Sequence, residues 1–190
     1  GVVTSALQAN TGVVDATGMT GSGALTFSAD AEDDSDMHIT GGRAGDTLTG
    51  GNATASAATG AALFDTIYGG DGGDTIDGGA GIDKLYGQGG NDTIKVSDDA
   101  DFVGLTAAET VDGGTGTDTL TFNSGGNHAL VLTAPELSKL TSIEVLSVVT
   151  GSGAATLTFG NETFANLGAT SISLLGNSGS GVTTIDGSAV

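Results

Sequence analysis

Cysteine is absent from this 190-residue chain, so neither a disulfide nor a thiolate metal site is available to it. A secreted chain without disulfides needs another staple, and metal ions can serve. Basic residues are scarce as well. Arg43, Lys84, Lys95 and Lys139 stand against 23 acidic side chains, for a formal charge of −19. So lopsided a polyanion repels nucleic acid and anionic membrane surfaces and attracts multivalent cations. No apolar run approaches the ~20 residues of a membrane-spanning helix, so membrane insertion is not expected. No basic region or signal peptide opens the chain, which starts on glycine rather than methionine; a processed product or a piece of a longer protein is expected. Pro135 is the only proline.

The motifs of common chemistries are missing too. There is no GxxxxGK[ST] phosphate loop, no HExxH zinc helix and no GxGxxG turn. The acidic run at 33–36, DDSD, lacks the glycine and the twelfth-place glutamate of an EF-hand loop. His38 and His128 are the only histidines and belong to no metal-ligand cluster. Catalysis is therefore not expected; His38 is expected to face solvent beside Ile39.

Glycine, by contrast, supplies 35 residues, and it has a period. Four nine-residue blocks run head to tail from Gly60 to Lys95: GAALFDTIY, GGDGGDTID, GGAGIDKLY and GQGGNDTIK. A fifth, GGTGTDTLT, occupies 113–121. Each has a glycine-rich turn, an aspartate at its sixth place and a large aliphatic at its eighth. The middle pair fits G-G-x-G-x-D-x-U-x, a nonapeptide signature of calcium-binding parallel β-rolls. The eighth-place residues are Ile39, Leu48, Ala57, Ile67, Ile76, Leu85 and Ile94, with one residue inserted between Ala57 and Ile67. After the eight-residue interruption VSDDADFV (96–103), Val111 and Leu120 resume the series.

The spacing has a physical reading. Glycines in the turn permit positive φ and close backbone approach. Turn carbonyls and the sixth-place carboxylate then offer the oxygens that calcium, a hard cation, prefers. The last three residues form a short strand with its aliphatic inward, because alternate side chains face opposite ways. Two blocks complete one coil, so Asp74 is expected above Asp92 and Asp65 above Asp83. Asp46, nineteen residues before Asp65, fits the same scheme with the single insertion. The candidate ligands are the carboxylates of Asp46, Asp65, Asp74, Asp83, Asp92 and Asp118, with turn positions Gly69, Asp71, Gly78, Ala80, Gly87 and Gly89. Asp118, with Glu109 nine residues before it in a block without glycines, is expected to be a poor site. GGNATASAA (50–58) has alanine at the sixth place and is expected to form a coil without a ligand. Tyr68 and Tyr86, both at ninth places, are expected to stack.

The segment GGDGGDTIDGGAGIDKLYGQGGNDTIK is similar to the nonapeptide region of RTX proteins, which Gram-negative bacteria export by type I secretion. Residues 96–150 and the segments VVDATGMTGSG and TTIDGSAV resemble the cassettes of RTX-type surface-layer proteins. The resemblance implies an all-β fold with a right-handed parallel β-roll, bound Ca2+ and a secreted, cell-surface location. It also implies assembly with copies of itself, with cell-surface polysaccharide as a further partner. The expected organisation is an N-terminal β segment (1–38), the roll (39–121) and a C-terminal β-rich segment (122–190), with one short helix at 134–140. VVDATGMT near the start also resembles TIDGSAV at the end, which would make the chain about one unit of a longer array. Two alternatives stand beside the surface-layer reading: the accessory β-roll of an exported enzyme or toxin, and a module of a large adhesin recognising sugar or ice. A regular outward threonine row would favour ice; Thr66, Thr75 and Thr93 suggest one, and Lys84 breaks it.

Without metal, stacked aspartates repel and each coil buries only about two aliphatics, too little to offset the ordering of its backbone. The repeats are therefore expected to fold as calcium binds.

Overall fold

The computed structural model describes residues 12–31, 35–52, 63–96, 110–124, 129–132, 139–150, 156–159, 171–176 and 184–186. Its first strands are β1 (Gly12–Asp15), β2 (Thr26–Ser28), β3 (Met37–Thr40), β4 (Thr47–Thr49), β5 (Thr66–Asp71), β6 (Thr75–Asp77), β7 (Lys84–Gly89) and β8 (Thr93–Val96). Then follow β9 (Thr110–Asp112), β10 (Thr119–Ser124), β11 (Ala129–Leu132), β12 (Leu140–Thr141), β13 (Val145–Thr150), β14 (Thr156–Phe159), β15 (Ser171–Gly176) and β16 (Thr184–Asp186).

Through β10 the strands alternate between two sheets, and every pairing is parallel. The first sheet runs β1-β3-β5-β7-β9-β12 and the second β2-β4-β6-β8-β10-β13-β15. This is a parallel β-roll. The eighth-place aliphatics are the reason it closes. Ile39, Ile67, Leu85, Val111 and Leu140 pair in one buried file on the first sheet. Phe27, Leu48, Ile76, Ile94, Leu120 and Leu146 form the facing file on the second. A register slip of one residue would turn an entire file outward, so the pairing is tightly specified.

The coil length is not constant. Eighteen residues separate equivalent positions in β5 and β7 or β6 and β8. Between β4 and β6 the interval is 28, and from β8 to β10 and β10 to β13 it is 26. The strands stay in register while the links between them absorb the difference.

Two expectations change here, and a third falls outside the described residues. Ile39 pairs directly with Ile67; of GGNATASAA only residues 50–52 are described, so the coil expected there lies outside the described residues. The expected boundaries after 38 and 121 fall inside continuous sheets, since β1 and β2 pair with β3 and β4, and β13 with β10. The helix expected at 134–140 does not reach 140: Lys139 is in a turn and Leu140 opens β12, held extended by its pairing with Val111. Residues 134–138 lie outside the described residues, and among the latter no helix occurs.

Beyond β10 the chain also enters a third parallel sheet, β11-β14-β16. Asp15 closes β1 in the first sheet and Asp186 closes β16 in the third, so the two similar terminal segments do not occupy equivalent places. On the outer face of the first sheet Tyr68 and Tyr86 stack as expected, with centroids 4.8 Å apart and planes 9° from parallel. His38 does not simply face solvent; it is half-buried, its ring tilted at 58° and 5.6 Å from that of Tyr68.

Candidate metal centre

The sixth-place aspartates divide between the two edges of the roll. Asp46, Asp74, Asp92 and Asp118 end the turns that lead into β4, β6, β8 and β10 of the second sheet. Asp65 and Asp83 do the same for β5 and β7 of the first. All six are buried. One oxygen of each has a structural task. Oδ1 of Asp74 accepts the backbone N–H of Asp46 (2.6 Å), Oδ1 of Asp92 that of Asp74 (2.8 Å), and Oδ1 of Asp118 that of Asp92 (2.8 Å). On the other edge Asp83 Oδ1 accepts the N–H of Asp65 at 2.9 Å, and Asp65 Oδ1 that of Met37 at 2.7 Å. Each buried N–H at a strand entrance thus obtains the partner it needs.

Asp74 therefore lies over Asp92 and Asp65 over Asp83, as the spacing predicts. Asp46 does not lie over Asp65. Its partner is Asp74, because the 28-residue coil contains one second-sheet strand rather than two. Asp118 is also better placed than expected: it joins the Asp46 edge and is followed there by Glu144, whose Oε2 accepts the Asp118 N–H at 2.7 Å. Glu109 lies outside the described residues.

The second carboxylate oxygen decides the chemistry. Oδ2 of Asp74, Asp92 and Asp118 is buried with no hydrogen-bond partner. Oδ2 of Asp46 accepts the Gly42 N–H and that of Asp65 the Gly51 N–H, each at 2.6 Å. A buried anionic oxygen without a partner is strongly unfavourable, and a cation or a proton is what relieves it.

The surroundings of these oxygens repeat. A Cβ added at Gly69 would collide with Asp74 Oδ2 and lie 2.7 Å from the Gly87 carbonyl oxygen. At Gly87 it would collide with Asp92 Oδ2 and the Gly113 carbonyl oxygen. Gly69 and Gly87 therefore each leave open a cradle bordered by the turn's own aspartate and the carbonyl of the next turn. On the opposite edge the Gly78 carbonyl borders Gly50 beside Asp65 Oδ2, and Asp83 Oδ2 faces Gly78. The third-place residues act between turns: Gly89 O accepts the Gly72 N–H, while the Asp71 and Ala80 N–H groups donate to the carbonyls of Gly42 and Gly51.

Burial pushes the Asp74 carboxyl up to about 7, an effect opposed by the Asp46 N–H and reinforced by the charges of Asp92, Asp46 and Asp71. Burial raises Asp65, Asp92 and Asp118 as well, against the backbone N–H groups that each accepts, and the charges of Asp36, Asp118 and Glu144 respectively reinforce it. Among the described residues no three acidic, histidine or cysteine side chains converge on one point. A turn supplies one carboxylate, and backbone carbonyls must complete the shell. That donor set, oxygen only and largely uncharged, fits calcium and excludes soft-metal coordination.

The family comparison agrees with this geometry. A family model for the RTX calcium-binding nonapeptide repeat, in four copies, matches residues 60–85, 68–103 and 102–128. These matches together span residues 60–128 and support RTX-type calcium-binding repeats within that part of the chain. No curated protein and no solved structure matches the chain. RTX repeats bind calcium, and proteins that carry them are typically secreted and extracellular. The chain thus contains a calcium-binding structural β-roll module of a secreted protein. When bound, calcium supplies the positive charge that the stacked carboxylates lack; the aspartates position the turns and the carbonyls face the cradles.

Glu144 escaped the sequence reading because its turn has no glycine pair. Its signal was spacing: Asp92 to Asp118 and Asp118 to Glu144 are both 26 residues.

Proposed function

We propose that this chain is a non-catalytic, calcium-set structural segment of a bacterial surface layer, exported by type I secretion and assembling with copies of itself. The observation that carries the structural role is the column of buried, unpartnered Asp74, Asp92 and Asp118 oxygens, which makes the order of the roll conditional on a cation. The continuation of the same sheets past the repeats into β13 and β15 supports a long load-bearing element, and residues 96–150 resemble surface-layer cassettes. Assembly is tested by electron microscopy of the chain with calcium or with excess chelator. Ordered sheets in calcium alone are expected; dispersed monomers under both conditions would remove the lattice reading.

One observation favours a second reading, an adhesin module that binds ice. Lys84 breaks the threonine row only when the two sheets are read together. Thr66 and Lys84 pair on the first sheet, whereas Thr26, Thr47, Thr75, Thr93 and Thr119 pair without interruption on the second. All five are exposed or half-buried. Thermal hysteresis in the calcium-loaded chain, abolished by Thr75→Tyr, is the result this reading expects, and its absence would dismiss it.

A further inference from the structure

We infer that the calcium column runs one turn past the RTX repeats, ending in a site formed by Asp118 Oδ2 and the Ser142 carbonyl and positioned by Glu144. This rests on the reading that the Asp74 and Asp92 turns hold calcium. The family match stops at residue 128, and the turn at 142–144 has no glycine and no aspartate. Yet its backbone repeats the cradle.

Asp118 is fully buried and its Oδ2 has no hydrogen-bond partner. A Cβ added at Gly113 would lie 2.7 Å from that oxygen and collide with the Ser142 carbonyl oxygen. The Asp92 cradle has the same make-up at Gly87, with the Gly113 carbonyl in place of Ser142. Gly113 donates its N–H to Thr141 O at 2.9 Å, which sets Ser142 beside it. Ser142 has φ of 52°, a left-handed conformation rare for a residue with a side chain, and this turns the short link toward Glu144. Ile143, fully buried, pins that link to the core.

Glu144 then occupies the place of a sixth-place aspartate. Its Oε2 accepts the Asp118 N–H just as Asp118 Oδ1 accepts that of Asp92. Its longer side chain reaches the same donor from a shorter turn. Glu144 is a positioning residue: it fixes the Asp118 backbone and brings a second negative charge to the end of the column.

The test is calcium titration of the full chain by calorimetry, with circular dichroism checking the fold at saturating calcium. Asp118→Asn is expected to bind one ion fewer. Glu144→Gln, which keeps the hydrogen-bond acceptor and loses the charge, is expected to weaken one site by ~10-fold, the scale of an outer partner's contribution. Ser142→Val, unsuited to a positive φ, is expected to lose the same ion, and Ser142→Gly to retain it. Wild-type binding by Glu144→Gln and Ser142→Val, with one ion lost in Asp92→Asn, would end the column before residue 142 and overturn the inference alone. Wild-type binding by Asp92→Asn as well would overturn the calcium reading beneath it.

Discussion

Each sixth-place aspartate divides its oxygens between two tasks, and the division differs from turn to turn. Oδ1 always caps a backbone N–H of the neighbouring coil, whereas Oδ2 is satisfied by Gly42 or Gly51 at Asp46 and Asp65 and is unpartnered at Asp74, Asp92 and Asp118. Replacing Asp92 with Asn is therefore expected to remove one calcium ion, and Asp46→Asn to leave the ion number unchanged; calorimetric stoichiometry distinguishes them. The raised carboxyls also set a pH dependence. A carboxyl whose folded pKa exceeds its unfolded value holds its proton more tightly in the fold. Its contribution to stability is complete below the ordinary 3.8 and is lost as pH rises through the folded value, about 7 for Asp74. In chelator, β signal by circular dichroism is expected to be partly regained as pH falls from about 8 to about 5, while in calcium the same change weakens ion binding through proton competition. A calcium-free chain with no more β signal at about pH 5 than at about pH 8 would contradict the assignment. Most of these aspartates were legible because glycine pairs mark their turns; Glu144 was not, since its turn carries Ser142 at positive φ and no glycine pair.

The element that repeats in the two long sheets from β3 to β13 is a strand of two to six residues with an inward aliphatic, and the links between strands vary in length. That separation explains what the sequence shows clearly and what it hides. Ile67, Ile76, Leu85 and Ile94 announce their own alternation because they are nine residues apart and each must be buried. Between Leu48 and Ile67 the count alone suggests another strand at Ala57, although an alanine would bury little apolar surface in such a file. Among the described residues, Ile39 pairs directly with Ile67. The third sheet was also hidden, because β11, β14 and β16 follow no glycine–aspartate turn. Deleting the ten residues 53–62 would bring the 28-residue coil to the 18 residues that suffice between β5 and β7. The shortened chain is expected to keep its calcium stoichiometry and its melting temperature in calcium within a few degrees. A collapse of either would show that 53–62 belong to the ladder after all.

The whole molecule carries a charge of −19 around a core two aliphatics thick. Its parallel sheets run without a break from β1 to β15, through the repeats and past them. Such a solenoid gains stability coil by coil from contacts with its neighbours, so an ion that fastens one turn to the next fastens the column. Extracellular calcium modules bind at ~10⁻⁴–10⁻³ M; on the proposed reading, affinity of that order would leave the chain unfolded at cytosolic calcium and set it outside the cell. The most direct measurement is far-UV circular dichroism of the purified chain, titrated with calcium and then with excess chelator. The expected result is β signal that grows cooperatively with calcium and is lost on chelation. A full β spectrum that persists in chelator at neutral pH would contradict the central claim that the cation holds the roll together.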